Sequence, residues 1–151
     1  MKIVKQLCVI AAAALCMVAC NKETTAEMIE GSYRGTSSAT HAYAQEPTVT
    51  ENESLTITAS DEEAKVEVVF AQWGVATFEG VQVEEDGSNA KLSGKGNILM
   101  PSMGGGDSKS YDAVLSGTVK TDKSEFALHI EVPAVMGGVK IDLTGKGGSS
   151  K

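Results

Sequence analysis

The chain is poor in several residue classes, and each shortage excludes a kind of protein. After position 20 there is no cysteine, so the remainder has neither a disulfide framework nor a thiol nucleophile. Aromatic residues make up 5% of the chain, and there are two histidines and three prolines. Thirteen basic residues face 20 acidic ones, and this acidic balance excludes nucleic acid as a partner. The 16 glycines instead predict many turns around a modest core.

One continuous apolar run is present, and it lies at the N-terminus. Lys2 and Lys5 precede apolar residues 7–18, a run too short to span a bilayer, which takes about 20 apolar residues. The segment Met17-Val18-Ala19-Cys20 resembles the lipobox of bacterial lipoproteins, in which the cysteine thiol receives diacylglycerol and the preceding bond is cut. We therefore predict residues 1–19 as a lipoprotein signal peptide and Cys20 as the lipid attachment site.

The residues after Cys20 predict attachment to an envelope membrane. The residue directly after Cys20 is Asn21 and not Asp. By the same resemblance, this favours onward transport to the outer membrane, where the protein would face the periplasm or the exterior. Removal of the signal leaves 11 basic and 20 acidic residues, a net charge of −9. We predict residues 20–30 as a lipidated tether, although Thr24 and Glu27 have the spacing of a capping box that starts a helical turn.

From Gly31 onward, apolar and polar residues alternate with period two, and no apolar stretch keeps a helical period. The alternation predicts eight strands with mostly hairpin-length connections, near residues 33–44, 54–60, 65–73, 77–85, 90–99, 110–121, 125–132 and 139–146. Such strands can close into an antiparallel up-and-down barrel, which leaves no free edge. A two-sheet sandwich uses the same alternation and is the alternative. The predicted all-β barrel domain covers residues 31–147, followed by a flexible tail at 148–151.

Glycines interrupt this alternation in two ways. Phe78 and Val81 fall on opposite parities, so a bulge at Glu79-Gly80 would return both side chains to the interior. Three other glycines lie on the inward parity, where they either let strands bend tightly or leave room for a ligand: Gly94, Gly96 and Gly117.

Four segments together resemble a known family. They are Gly31-Ser32-Tyr33-Arg34-Gly35, residues 92–103, Ser116-Gly117-Thr118-Val119 and Pro133-Ala134-Val135-Met136-Gly137-Gly138. Their order and spacing, with the lipobox, resemble the calycin-like β-barrel lipoproteins from envelopes of Gram-negative gut anaerobes. The resemblance implies a lipocalin-like, eight-stranded calycin-like barrel without an assigned activity. Tyr33 stands where the lipocalin signature has tryptophan, so the ligands of lipocalins are not carried over.

Catalytic and metal-binding patterns are missing from the sequence. There is no Gly-x-Ser-x-Gly elbow, and His41 and His129 are the two imidazoles. His129 has the parity of its polar neighbours Glu125 and Glu131, which predicts a position on the outer face. His41 is predicted in the core or at the rim, and alone it makes no zinc site. We predict a protein that is not an enzyme and has neither cofactor nor metal.

The connections after strands one, three, five and seven fall at one end of an up-and-down barrel, and three of them are apolar. In lipocalin-like barrels these odd connections surround the mouth, and methionine adapts to varied apolar ligands. The side chains either line an entrance for a small apolar or amphipathic ligand or plug a solid barrel. In the second case the loops would contact a partner protein or a glycan. The candidate ligand-binding residues are Trp73, Met100, Met103, Tyr111 and Met136.

Overall fold

Eight antiparallel strands in sequence order form a closed barrel in the computed structural model, which describes residues 24–102 and 106–149. Each strand pairs with the next, and the eighth closes on the first. This confirms the up-and-down barrel over the sandwich. The elements are α1 (Thr25–Met28), β1 (Gly31–Thr40), β2 (Thr48–Ser60), β3 (Glu63–Phe70), β4 (Gly74–Asp86), β5 (Asn89–Met100), β6 (Lys109–Lys120), β7 (Glu125–Val132) and β8 (Val139–Ser149).

The inward parity of every strand contributes to one buried apolar cluster. On this inward parity, four aliphatic side chains of β6, β7 and β8 are at most 2% exposed, namely Leu115, Leu128, Ile130 and Ile141. Glu131 and Lys140, on the opposite parity, are exposed. Because side chains of a strand alternate between its two faces, the period-two pattern was sufficient to assign inside and outside.

The predicted bulge in β4 is present. Gly80 has a positive φ of 63°, and the pairing of β4 with β5 shifts between Phe78 and Gln82. The additional residue turns both Phe78 and Val81 inward, and both are fully buried.

The inward glycines are sites of close approach rather than space for a ligand. A Cβ at Gly96 would collide with the carbonyl of Thr77 and the ring of Phe78, and neighbouring atoms also occupy the space beside the other two, Gly94 and Gly117. The missing side chains therefore let adjacent strands and large residues pack closely.

The boundary between the first two strands differs from the prediction. β1 ends at Thr40, and β2 begins at Thr48, six residues before the predicted start at 54. The chain turns after Thr40, where the N–H of Ala44 donates to the carbonyl of His41 at 3.2 Å. β8 also continues to Ser149, two residues into the predicted tail.

One end of the barrel, here called the closed end, holds α1 and the turns after β2, β4 and β6. Thr24 Oγ1 accepts from the N–H of Glu27 at 3.2 Å, and Glu27 Oε1 accepts from the N–H of Thr24 at 2.9 Å. This confirms the capping box, so part of the predicted tether is helical. Ile29 is fully buried, and its carbonyl accepts from the hydroxyl of Tyr33 at 2.6 Å. Thr24 Oγ1 donates to the carbonyl of Asp61, at the turn after β2.

The opposite end, here called the mouth, holds the connections after β1, β3, β5 and β7. In the part of the chain that the structure describes, no helix is long and apolar enough to cross a bilayer. The predicted signal peptide and Cys20 lie outside the described residues.

Candidate functional site

A cavity of about 540 Å³ opens at the mouth of the barrel. Four of the five candidate residues line it, whereas Met103 lies outside the described residues. Binding of a ligand by these side chains stays a prediction. The lining residues are Gln72, Trp73, Met100, Pro101, Ser102, Lys109, Tyr111, Val135 and Met136.

Strand ends and tight turns hold these side chains together. Met100 is the last residue of β5 and is 6% exposed, at the top of the core. Lys109, at the start of β6, pairs with it across the ladder. Trp73 lies in the turn after β3, and Met136, with a positive φ of 48°, lies in the turn after β7. Side chains from three connections that are distant in the sequence thus converge on one opening.

The lining combines an apolar floor with a polar rim. Trp73, Val135 and Met136 are partly buried against the core cluster. At the rim, Ser102 and Lys109 are exposed and supply a hydroxyl and a cation. Small-molecule pockets have volumes of about 300–1,000 Å³ and combine apolar walls with a few polar groups. The volume and the lining of this cavity both fall within that description.

The indole of Trp73 carries an unpaired donor. Its Nε1 is buried and has no hydrogen-bond partner among the described residues. A buried donor without an acceptor costs about 1–3 kcal/mol. The indole of Trp73 is therefore held by packing against the core rather than by a hydrogen bond to the described residues.

The connection after β1 also contributes to the mouth, at the end of the barrel where the strand order predicts it. The ring of His41 packs edge-on against Trp73 with centroids 6.4 Å apart, so His41 lies at the rim. The N–H of Ala42 donates to the carbonyl of Met136 at 3.3 Å. This hydrogen bond ties the first odd connection to the last and closes one side of the opening.

Glu53 is a buried carboxylate that sequence analysis missed. It is 1% exposed and accepts from the hydroxyl of Ser37 at 2.7 Å and from the N–H of Ala71 at 2.9 Å. Ala71 lies two residues before Trp73, so Glu53 fixes the turn that carries the indole. The sequence signal that could have found it is parity, since Glu53 has the same inward parity as Leu55 and Ile57.

His129 lies on the outer face as predicted, between two carboxylates. Its Nδ1 is 2.7 Å from Asp142 Oδ1, and its Nε2 is 3.0 Å from Glu131 Oε2. The hydrogen bond to Asp142, followed by that to Glu131, raises the pKa of His129 above its usual 6.5, against the opposing effect of burial. Within residues 24–102 and 106–149, no group of His, Cys, Asp and Glu has an arrangement suited to a metal ion.

Comparison with known proteins identifies the family. Residues 29–147 match the family described as the calycin-like beta-barrel domain. The chain belongs to this calycin-like family. The match confirms the resemblance that the Gly-rich segments indicated.

Among solved structures, the calycin-like chain is similar to a protein of Bacteroides fragilis provisionally named as an outer membrane protein. The TM-score is 0.66 at 22% identity, over 83% of this chain and 47% of that one. At this identity the likeness establishes the fold alone, and the chain spans about half the length of that protein. A search of curated proteins finds no match.

Proposed function

We propose that this calycin-like protein is a lipid-anchored component of the cell envelope that binds a small apolar or amphipathic ligand at the barrel mouth. Cys20 carries the lipid, and the cavity around Trp73, Met100 and Met136 holds the ligand. The role is binding without catalysis and without a cofactor.

The cavity at the mouth is the observation that carries the binding proposal. The interior positions are filled by fully buried side chains, from Ile29 near the closed end to Ile98 near the mouth. A ligand would therefore sit on top of the core rather than deep within the barrel. An apolar tail against Met100 and Met136, with a polar or anionic group toward Lys109, matches the floor and rim of the cavity.

The sequence around Cys20 supports the anchor. Met17-Val18-Ala19-Cys20 has the lipobox pattern, and no other cysteine remains in the processed chain. The provisional name of the similar Bacteroides fragilis protein supports an outer membrane location. Both a periplasmic and a surface-exposed orientation are consistent with this proposal.

A second candidate function is contact with a partner protein or a glycan. Tyr43, in the connection after β1, is 79% exposed, and Val49, at the start of β2, is 60% exposed. Exposed apolar and aromatic side chains of this kind are used at interaction surfaces. This alternative places the binding energy on these exposed side chains, here called the outer rim, rather than inside the cavity.

Fluorescence of Trp73 tests ligand binding, because it is the one tryptophan in the chain. A soluble chain starting at Asn21 retains every described element of the barrel and is titrated with fatty acids, bile acids and tetrapyrroles. We expect at least one saturable change in emission. Met136→Asp should weaken it by placing a charge in the apolar floor.

Leu99→Asp is the matched control. Leu99 adjoins Met100 in β5 but points outward and is 49% exposed, so the same new charge should leave binding unchanged. Emission of Trp73 that does not respond to any compound of the panel would reject the ligand proposal and favour the outer-rim alternative.

Mass spectrometry of the mature N-terminus tests the anchor. The wild-type chain should begin at Cys20 with an acyl mass, and Cys20→Ser should leave uncleaved precursor. A mature chain that begins elsewhere, or lacks the acyl mass, would remove the basis for the membrane location.

A further inference from the structure

The start of the described chain and the cavity lie at opposite ends of the barrel. Thr24 contacts the turn after β2 through its hydrogen bond to Asp61, and α1 lies at this closed end. Trp73, Met136 and the rest of the cavity lie at the mouth. The chain therefore enters the barrel at the end farthest from the candidate ligand cavity.

The chain between the proposed anchor and the barrel is short. Four peptide steps separate Cys20 from Thr24, and even fully extended they reach about 14 Å. The barrel is longer than this reach. β4 runs from the mouth to the closed end with 13 residues, about 40 Å along the strand and about 30 Å along a barrel axis to which strands are tilted by about 40°.

We propose that the lipid at Cys20 holds the barrel by its closed end, so that the cavity opens into water and away from the anchoring bilayer. An inverted barrel with its mouth on the membrane would place Thr24 about 30 Å above the surface, beyond the reach of the tether. A ligand would thus arrive through the aqueous compartment and not by lateral movement within the anchoring leaflet. This inference rests on the proposed lipid attachment at Cys20.

The contacts of the closed end make this orientation rigid on the protein side. The capping box fixes the first turn, and Ile29 is fully buried. The hydroxyl of Tyr33 holds the carbonyl of Ile29 at 2.6 Å. Lengthening the tether by unwinding α1 would break the capping box and expose Ala26, which is 1% exposed in the folded chain.

Depth-dependent quenching of tryptophan tests the orientation in the full lipidated protein. The protein is inserted in vesicles of phosphatidylethanolamine and phosphatidylglycerol that contain a lipid with a nitroxide on its headgroup. Trp73 reports on the mouth, and Glu62→Trp in a Trp73→Phe background reports on the closed end. We expect the closed-end reporter to be quenched several-fold more strongly than Trp73. Equal quenching, or stronger quenching of Trp73, would overturn the proposal.

A lengthened tether provides the control for the mechanism. Inserting about a dozen Gly and Ser residues after Asn21 adds a flexible segment long enough for the barrel to invert. The difference in quenching should then shrink, and an unchanged difference would show that the short tether does not set the orientation. Thermal unfolding of each variant verifies that the barrel is intact.

The same samples separate this inference from the proposed function. Absence of the acyl mass at Cys20 would reject the anchor itself. An acylated Cys20 with strong quenching of Trp73 would reject the orientation alone. Failure of the ligand panel, with quenching as expected, would reject binding and leave the orientation in place.

Discussion

The two ends of this barrel are built from the same strands but differ in how completely they are packed. At the closed end, Ile29 and Tyr33 are sealed against the core, and the Tyr33 ring meets Phe126 edge-on with centroids 5.4 Å apart. Burial of this phenol raises its pKa to about 12. At the mouth, Trp73 and Met136 are partly buried around an open cavity, and the indole Nε1 has no partner in the described chain.

The difference shows how one alternating pattern supports both a sealed end and an end with an open cavity. Short, polar turns and α1 cover the core at the closed end, where Ala26 and Ile29 are at most 1% exposed. The longer connections at the mouth leave part of their apolar surface uncovered around the cavity. Loss of side chains should therefore reduce stability most at the closed end, whereas changes at the mouth should act mainly on Trp73 and its surroundings.

Phe126→Ala gives the largest expected effect. Phe126 is 4% exposed and fills the space left open by Gly35 and Gly145, so its loss should reduce the free energy of unfolding by about 3–5 kcal/mol. Urea denaturation of the chain starting at Asn21 measures this value. Val135→Ala, a partly buried site at the mouth, should cost about 1 kcal/mol or less. Similar losses at the two sites would contradict the proposed division of roles.

Glu53→Ala tests how the mouth is held to the barrel wall. The change leaves the hydroxyl of Ser37 and the N–H of Ala71 without their acceptor, and it should lower stability by about 1–3 kcal/mol. It should also shift the emission of Trp73, because the turn after β3 loses its attachment to β2.

Two variants sharpen the interpretation of Glu53. Glu53→Gln retains an acceptor oxygen and should have a smaller effect on both measurements. Glu51→Ala, an exposed site in the same strand, should change stability by less than about 0.5 kcal/mol. A loss of stability in Glu53→Ala with unchanged Trp73 emission would mean that Glu53 supports the core without positioning the indole.

Glu53 also shows where prediction from the sequence ended. The outward and inward faces, the β4 bulge and the convergence of Trp73, Met100, Tyr111 and Met136 followed from parity and strand order, which are local properties. The partners of Glu53 are not local, since Ser37 is 16 residues away and Ala71 is 18 residues away. A polar residue on an inward face resembles the end of a strand when its buried partners are distant in the sequence. The predicted start of β2 at 54 directly follows Glu53, whereas the strand begins at Thr48.

The wall of the barrel should respond to pH independently of both ends, through His129. Its pKa is raised in the folded chain, mainly by Asp142 and then by Glu131, which itself pairs in register with Lys140. The resulting stabilisation is present below the ordinary value of 6.5 and is lost as pH rises through the raised folded pKa. Because the site is partly exposed, the effect should not exceed about 1 kcal/mol.

His129→Gln should therefore reduce stability in urea at pH below 6.5, with the difference from wild type diminishing at alkaline pH and Trp73 emission unchanged throughout. A deficit of equal size at acidic and alkaline pH would assign the effect to packing of the ring rather than to its charge.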